Sequence, residues 1–128
     1  YAMDCADACH ALGLQAVAVT AGYMRAAPRQ AFFAKMDAAN IDLKAFSEAF
    51  YVHQTGAHLG PVLETIEVVV HETACWTELT TLLIPGLNDG DAELEGAKPV
   101  IGDGGDEVRP EARHSTPRRI PLTGGKLP

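Results

Sequence analysis

Long apolar runs, basic patches and an even set of cysteines are all missing from this chain. No apolar run approaches the roughly 18 residues a membrane-spanning helix needs, so no membrane partner is expected. No secretory signal is visible either: Tyr1 leads straight into Asp4 and Asp7, not into a basic stretch followed by an apolar one. The three cysteines, Cys5, Cys9 and Cys75, cannot all pair, and reduced thiols in a cytoplasmic setting are the expectation. Basic residues are scarce over most of the chain. Residues 1–95 hold 13 acidic and 4 basic side chains, a net of −9, while residues 96–128 hold 4 and 6, a net of +2. The acidic part repels a phosphate backbone and the arginines of the tail are scattered, so no nucleic-acid partner is expected. Metal-ligand spacing, a glycine-rich phosphate loop and a nucleophile elbow are not found. The chain opens on Tyr1, not on Met, as expected of a piece of a longer protein.

What remains is a soluble, globular composition. The 128 residues suit one domain with a moderate core. Residues 2–12 read as a helix, with Met3, Ala6, Cys9 or His10, and Leu12 at helical spacing and Gly13 as the stop. Cys5 and Cys9, four apart, share a helix face and have a spacing that can hold metal. Neither Cys75 nor a nearby histidine completes the set, so small apolar filler is the reading. Gln15 to Thr20 is a short run suited to a buried strand. Pro28 starts a second helix that continues through Ala38, with Phe32, Phe33 and Met36 on its apolar side. Asn40 to Phe46 is the next strand. Residues 47–59 form a connection with a short helix around Phe50–Val52. Pro61 opens a third helix with the stripe Val62, Leu63, Ile66, Val69 and Val70. Trp76 to Ile84 is the third strand, ended by Pro85-Gly86.

Strands alternating with helices imply an α/β fold with a parallel sheet and right-handed crossovers. The loops at 21–24, 44–47 and 85–89 then gather at one sheet edge, where such folds bind ligands. From Gly96 onward the apolar period stops. Glycine and proline dominate, and the tail reads as disordered coil. A second reading of the tail is a frameshift: moving Pro110–Leu122 by one nucleotide permits a strand-like sequence.

Polar groups inside apolar strands are costly to bury without partners, which marks candidates for a site. Asp42 and Lys44, two apart on a strand, project to one face. A carboxylate and an ammonium there suit an amino acid or a ribose; an internal ion pair, or surface charge at a strand end, is the plainer reading. Thr20, at the preceding strand's end, offers a hydroxyl. Glu78 and Thr80 share a face of the third strand, with Glu78 either a partner for Lys44 or exposed. His53, His58, His71 and His114 are scattered. Asn88-Asp89 reads as loop chemistry first and as a helix cap second.

Four blocks occur in order: Val17–Tyr23, Asn40–Phe46, Gly56–Leu59 with Pro61–Ile66, and Leu79–Asp89. Together they resemble the radical SAM enzymes related to pyruvate formate-lyase activating enzyme, and most of all the radical SAM protein of the AmmeMemoRadiSam system. The resemblance covers residues 1–95 and leaves out 96–128. It implies a partial (β/α)6 barrel of which this chain supplies the central strands. It further implies that the parent protein binds S-adenosylmethionine (SAM) and a [4Fe–4S] cluster and cleaves SAM reductively to a 5′-deoxyadenosyl radical. A Memo-like protein is the implied partner of the parent. Asp42-Leu43-Lys44 and Pro85-Gly86 match the family pattern. Asp42 and Lys44, with Thr20, are therefore the expected cofactor-binding residues. Thr20-Ala21-Gly22 departs from the usual Thr-Asn-Gly. The Cys-x-x-x-Cys-x-x-Cys motif and the Gly-Gly-Glu of a preceding strand are missing, so no cluster or radical is expected of this chain itself. A non-catalytic α/β binding or scaffold domain is the alternative. Unpaired strand edges predict marginal stability or aggregation of the isolated piece.

Overall fold

The computed structural model describes residues 1–101, and the expectations for the tail beyond Ile101 lie outside them. Helix α1 (Ala2–Ala11) ends as the glycine predicts. Gly13 takes φ +73°, its N–H bonds the His10 carbonyl, and the Leu14 N–H bonds the Cys9 carbonyl, each at 2.9 Å. These two bonds satisfy carbonyls that the helix end leaves open. Strand β1 (Val17–Thr20) follows, then α2 (Ala26–Phe33), β2 (Ala38–Asp42), a short α3 (Glu48–Phe50) that continues as a π-helical turn (Tyr51–Thr55), α4 (Leu59–Glu72), β3 (Trp76–Thr80) and α5 (Asp91–Ile101).

The three strands form one open parallel sheet in chain order, β1-β2-β3. Val19 stands beside Asn40 and Asn40 beside Glu78; Thr20 pairs with Ile41, and Asp42 with Thr80. The N-terminal edge is closed by Asp37, whose N–H donates to the Ala16 carbonyl (2.9 Å) while its own carbonyl accepts from Trp76 (3.0 Å). Its carboxylate accepts from the Ala16 N–H at 2.7 Å and from His10 Nε2 at 2.9 Å.

One face of the sheet carries the core. Ala18, Ala39 and Ile41 alternate onto it and meet Phe33 of α2 and Val62, Ile66 and Val69 of α4. The expected stripe on α4 is present, with Thr65 buried in it and its hydroxyl returned to the Pro61 carbonyl at 2.8 Å. The helix begins two residues before Pro61, which lies in a first turn where a missing N–H costs nothing. Glu48 caps this start by accepting from the Leu59 N–H (2.8 Å), with His58 Nδ1 at 2.5 Å from its other oxygen. The opposite sheet face has no cover within the described residues: Val19 is 81% exposed, and Val17 and Trp76 are exposed beside it.

Both later strands are shorter than their apolar runs predict. Beyond Asp42 and Thr80 the backbone finds side chains instead of a neighbouring strand. The Leu43 carbonyl accepts from Thr81 Oγ1 at 2.7 Å, and the Lys44 N–H donates to the Tyr51 hydroxyl at 3.2 Å. α2 also ends before the expected Ala38, because Asp37 and Ala38 are drawn into the sheet. α5 runs across the boundary expected at residues 95/96, so the described helix continues past Gly96.

Candidate functional site

The loops after β1, β2 and β3 meet at the C-terminal edge of the sheet, as the alternation of elements predicts. Asp42 and Lys44 lie together there, with Lys44 Nζ 2.6 Å from Asp42 Oδ2, and both side chains are a little over a third exposed. A pair this wet contributes at most about 1 kcal/mol, so a ligand can open it at little cost. Its two ends offer one carboxylate and one ammonium side by side.

Below this pair, toward the strand starts, lies a second polar set on the same uncovered face. Thr80 Oγ1 donates to Asn40 Oδ1 (3.0 Å), and Asn40 Nδ2 donates to Glu78 Oε2 (2.9 Å). Of the two readings of Glu78, exposure holds and pairing with Lys44 does not: Lys44 is taken by Asp42.

Thr20 is placed differently from Asp42. It pairs in register with Ile41, on the helix-covered face, and its Oγ1 accepts from the Gly22 N–H at 3.1 Å. It therefore shapes the turn after β1. That turn needs glycine: Gly22 has φ +69°, and a Cβ there would sit 3.0 Å from Ile41 Cγ2. Arg29, 4% exposed inside an apolar helix, holds the same loop. Its Nη2 donates to the Met24 carbonyl (3.2 Å) and to Glu64 Oε2 (3.3 Å), while its Nε has no partner among the described residues. Sequence reading missed Arg29, because its partner on α4 is 35 positions away.

Asn88 reads as loop chemistry in the sequence, and its reach beyond its own loop is not visible there. It is 1% exposed and acts as an internal brace. Its Oδ1 accepts from the Ile84 N–H (2.6 Å), and its Nδ2 donates to the carbonyls of Lys44 (2.7 Å) and Leu82 (2.9 Å). The Phe46 N–H is held by the Glu93 carboxylate on α5. Gly86, at φ +76°, donates to Asp89 Oδ1 at 2.8 Å and turns the chain after Pro85. Burial pushes the Tyr51 phenol above its ordinary pKa while its oxygen accepts from Lys44 N–H. Between these loops and α5 lies an apolar cavity of about 200 Å³, lined in part by Leu43, Phe46, Leu83 and Leu94.

The cysteines do not converge on this edge. Cys5 is exposed on α1 and Cys9 half-buried, so the filler reading fails for Cys5; Ala6 is the residue that α1 buries. Cys75 is buried just before β3, at the other end of the strands. Among the described residues no group of three His, Cys, Asp or Glu side chains is placed to hold a metal ion. The thiols of this chain therefore do not fit a three-cysteine cluster site. No described helix is long and apolar enough to cross a membrane.

No family model matches the chain. It is 37% identical over 82 residues to the uncharacterized protein MJ0808 of Methanocaldococcus jannaschii, a stretch that covers 64% of this chain and 23% of that protein. The chain thus spans under a quarter of the length of this curated relative. Among solved structures it is similar to a domain of pyruvate-formate lyase-activating enzyme from Bacteroides vulgatus, with a TM-score of 0.68 over 77% of this chain and 60% of that one. Sequence identity there is 18%, so what the two share is the fold: a parallel α/β sheet with its helices on one face.

Proposed function

We propose that this chain is the central part of a radical SAM enzyme and that it lines the SAM pocket of a longer protein. The observation that carries the reading is the Asp42–Lys44 pair at the C-terminal edge of an uncovered sheet face, in a fold shared with an activating-enzyme domain. A SAM molecule presents an ammonium and a carboxylate from its methionine end. Asp42 would take the first and Lys44 the second, each exchanging one partner for another with no net change in charge. Thr20 would act at the rim by holding the Gly22 turn. Bound SAM would supply the 5′-deoxyadenosyl radical chemistry of such enzymes. The cluster ligands this requires are not in residues 1–128 in the right arrangement, and we place them elsewhere in the longer protein. The four sequence blocks support the finer assignment to the AmmeMemoRadiSam type and a Memo-like protein partner, and the three free cysteines support a cytoplasmic location.

A non-catalytic α/β binding domain is the competing reading, and the dispersal of Cys5, Cys9 and Cys75 favours it. Two measurements decide. Sequencing the flanking DNA is expected to reveal an in-frame Cys-x-x-x-Cys-x-x-Cys on the 5′ side; its absence would remove the catalytic reading. Calorimetric titration of the longer protein with SAM is expected to show binding that Lys44→Ala weakens about tenfold or more, the scale of one lost charge-assisted contact. Equal affinity in the two proteins would remove Lys44 from the pocket.

A further inference from the structure

The Asn40–Glu78–Thr80 set is not used by the SAM reading, and its construction points to a ligand of its own. Two adjacent rungs of the sheet bring it together, Asn40 beside Glu78 and Asp42 beside Thr80, on the face that no described element covers. The hydrogen bonds run in one direction. Thr80 donates to the Asn40 carbonyl oxygen, which turns the Asn40 amide so that it donates to Glu78. An ionised carboxylate only accepts, and it has room for several donors. One Glu78 oxygen takes the Asn40 amide, which leaves the other for a donor from outside.

The surrounding charge selects the donor. Arg29, Lys35 and Lys44 are paired with Glu64, Asp7 and Asp42, so none of these three neutralises Glu78. Residues 1–95 are acidic as a whole, which repels an anion and favours a cation. The neighbouring rung supplies an apolar rest. Trp76 lies two residues before Glu78 on the same strand face, about 6.6 Å away along the chain. Ala38 makes a shallow step between Val17 and Trp76, and Val19 flanks Asn40. A planar guanidinium suits this combination best, since it binds a carboxylate through a fork of N–H groups and stacks on an indole.

We infer that Glu78, oriented by Asn40 and Thr80 and flanked by Trp76, binds a guanidinium group carried by the substrate, an arginine side chain being the simplest source. That the ligand is a substrate rests on the SAM reading of the neighbouring Asp42–Lys44 pair; that the site takes a cation does not.

Trp76 is the single tryptophan of the 128 residues, so its fluorescence reports on this face alone. The chain is titrated with Nα-acetyl-arginine methylamide and with the citrulline analogue, which has the same shape and no charge. Saturable change with the arginine probe, at least about tenfold tighter than with citrulline, is expected for a charge-assisted fork. Glu78→Gln, checked for fold by circular dichroism, is expected to abolish the difference between the probes. Equal responses to the two probes would overturn the inference, and this comparison needs no variant to fold. Displacement of the arginine probe by SAM would also overturn it, because Glu78 would then belong to the cofactor pocket. An arginine response of this chain, found where the longer protein fails to bind SAM, removes the cofactor reading alone. SAM binding without an arginine response removes this inference alone.

Discussion

Replacing Asn88 by alanine tests whether one buried amide holds the site edge together. The side chain makes three hydrogen bonds, to Ile84 N–H and to the carbonyls of Lys44 and Leu82. Each is worth a net ~1 kcal/mol, and the groups left behind have little water to turn to at a residue 1% exposed. The expected loss is about 3 kcal/mol, a large share of the 5–15 kcal/mol that stabilises ordinary domains. With a urea slope near 1–1.5 kcal/mol/M, the unfolding midpoint should fall by about 2–3 M with the slope unchanged. Trp76 fluorescence follows the transition. Should the wild-type stability be smaller than this loss, Asn88→Ala is expected to lack cooperative unfolding altogether. Asn88→Asp separates the three bonds further. It keeps an acceptor for Ile84 but points a carboxylate at two carbonyl oxygens. It should therefore be less stable than Asn88→Ala at pH 7 and recover as acid protonates the new carboxyl. A midpoint shift below about 0.5 M for Asn88→Ala, with normal slope, would refute the brace.

Two further predictions concern the other end of the sheet. The Ala16 N–H, and after it His10, hold the Asp37 carboxyl below its ordinary pKa. A depressed carboxyl stabilises the fold fully above its unfolded value of about 3.9 and ceases to do so as pH falls through the folded value. The urea midpoints of wild type and Asp37→Asn should thus differ at pH 7, and the gap should begin to shrink as the pH falls below about 3.9; a gap that stays constant with pH would refute this. Burial, and then the charge of Asp37, push the Cys75 thiol up to about 11, so it is almost wholly protonated at pH 8. Iodoacetamide followed by mass spectrometry should label Cys5 quickly and Cys75 only at the rate of unfolding; equal rates would contradict its burial.

The parts of the fold governed by local period were readable in the sequence. Gly13 ended α1, the stripe on α4 was visible at helical spacing, and two-residue spacing anticipated the Asp42–Lys44 contact although β2 itself ends at Asp42. What escaped depends on partners far along the chain. The strand ends are set by Tyr51, Thr81 and Asn88, and the Asn88 contact with Lys44 spans 44 positions. Arg29 sits in an apolar stretch and is explained only by Met24 and Glu64. Thr20 reads as a strand-end hydroxyl available to a ligand, yet its register with Ile41 turns it to the helix-covered side. α5 begins with acidic residues that favour a helix start, but Gly96 and Pro99 mask its continuation.

The order of the strands has a consequence for how the protein is made. Each strand lies beside the one synthesised just before it, and each crossover helix packs on the same side. The sheet can therefore be laid down rung by rung as the chain leaves the ribosome, with each strand after β1 meeting a partner already translated. The newest strand is always the edge, and so the surface that most needs protection at every stage of synthesis is the one that the next βα unit covers.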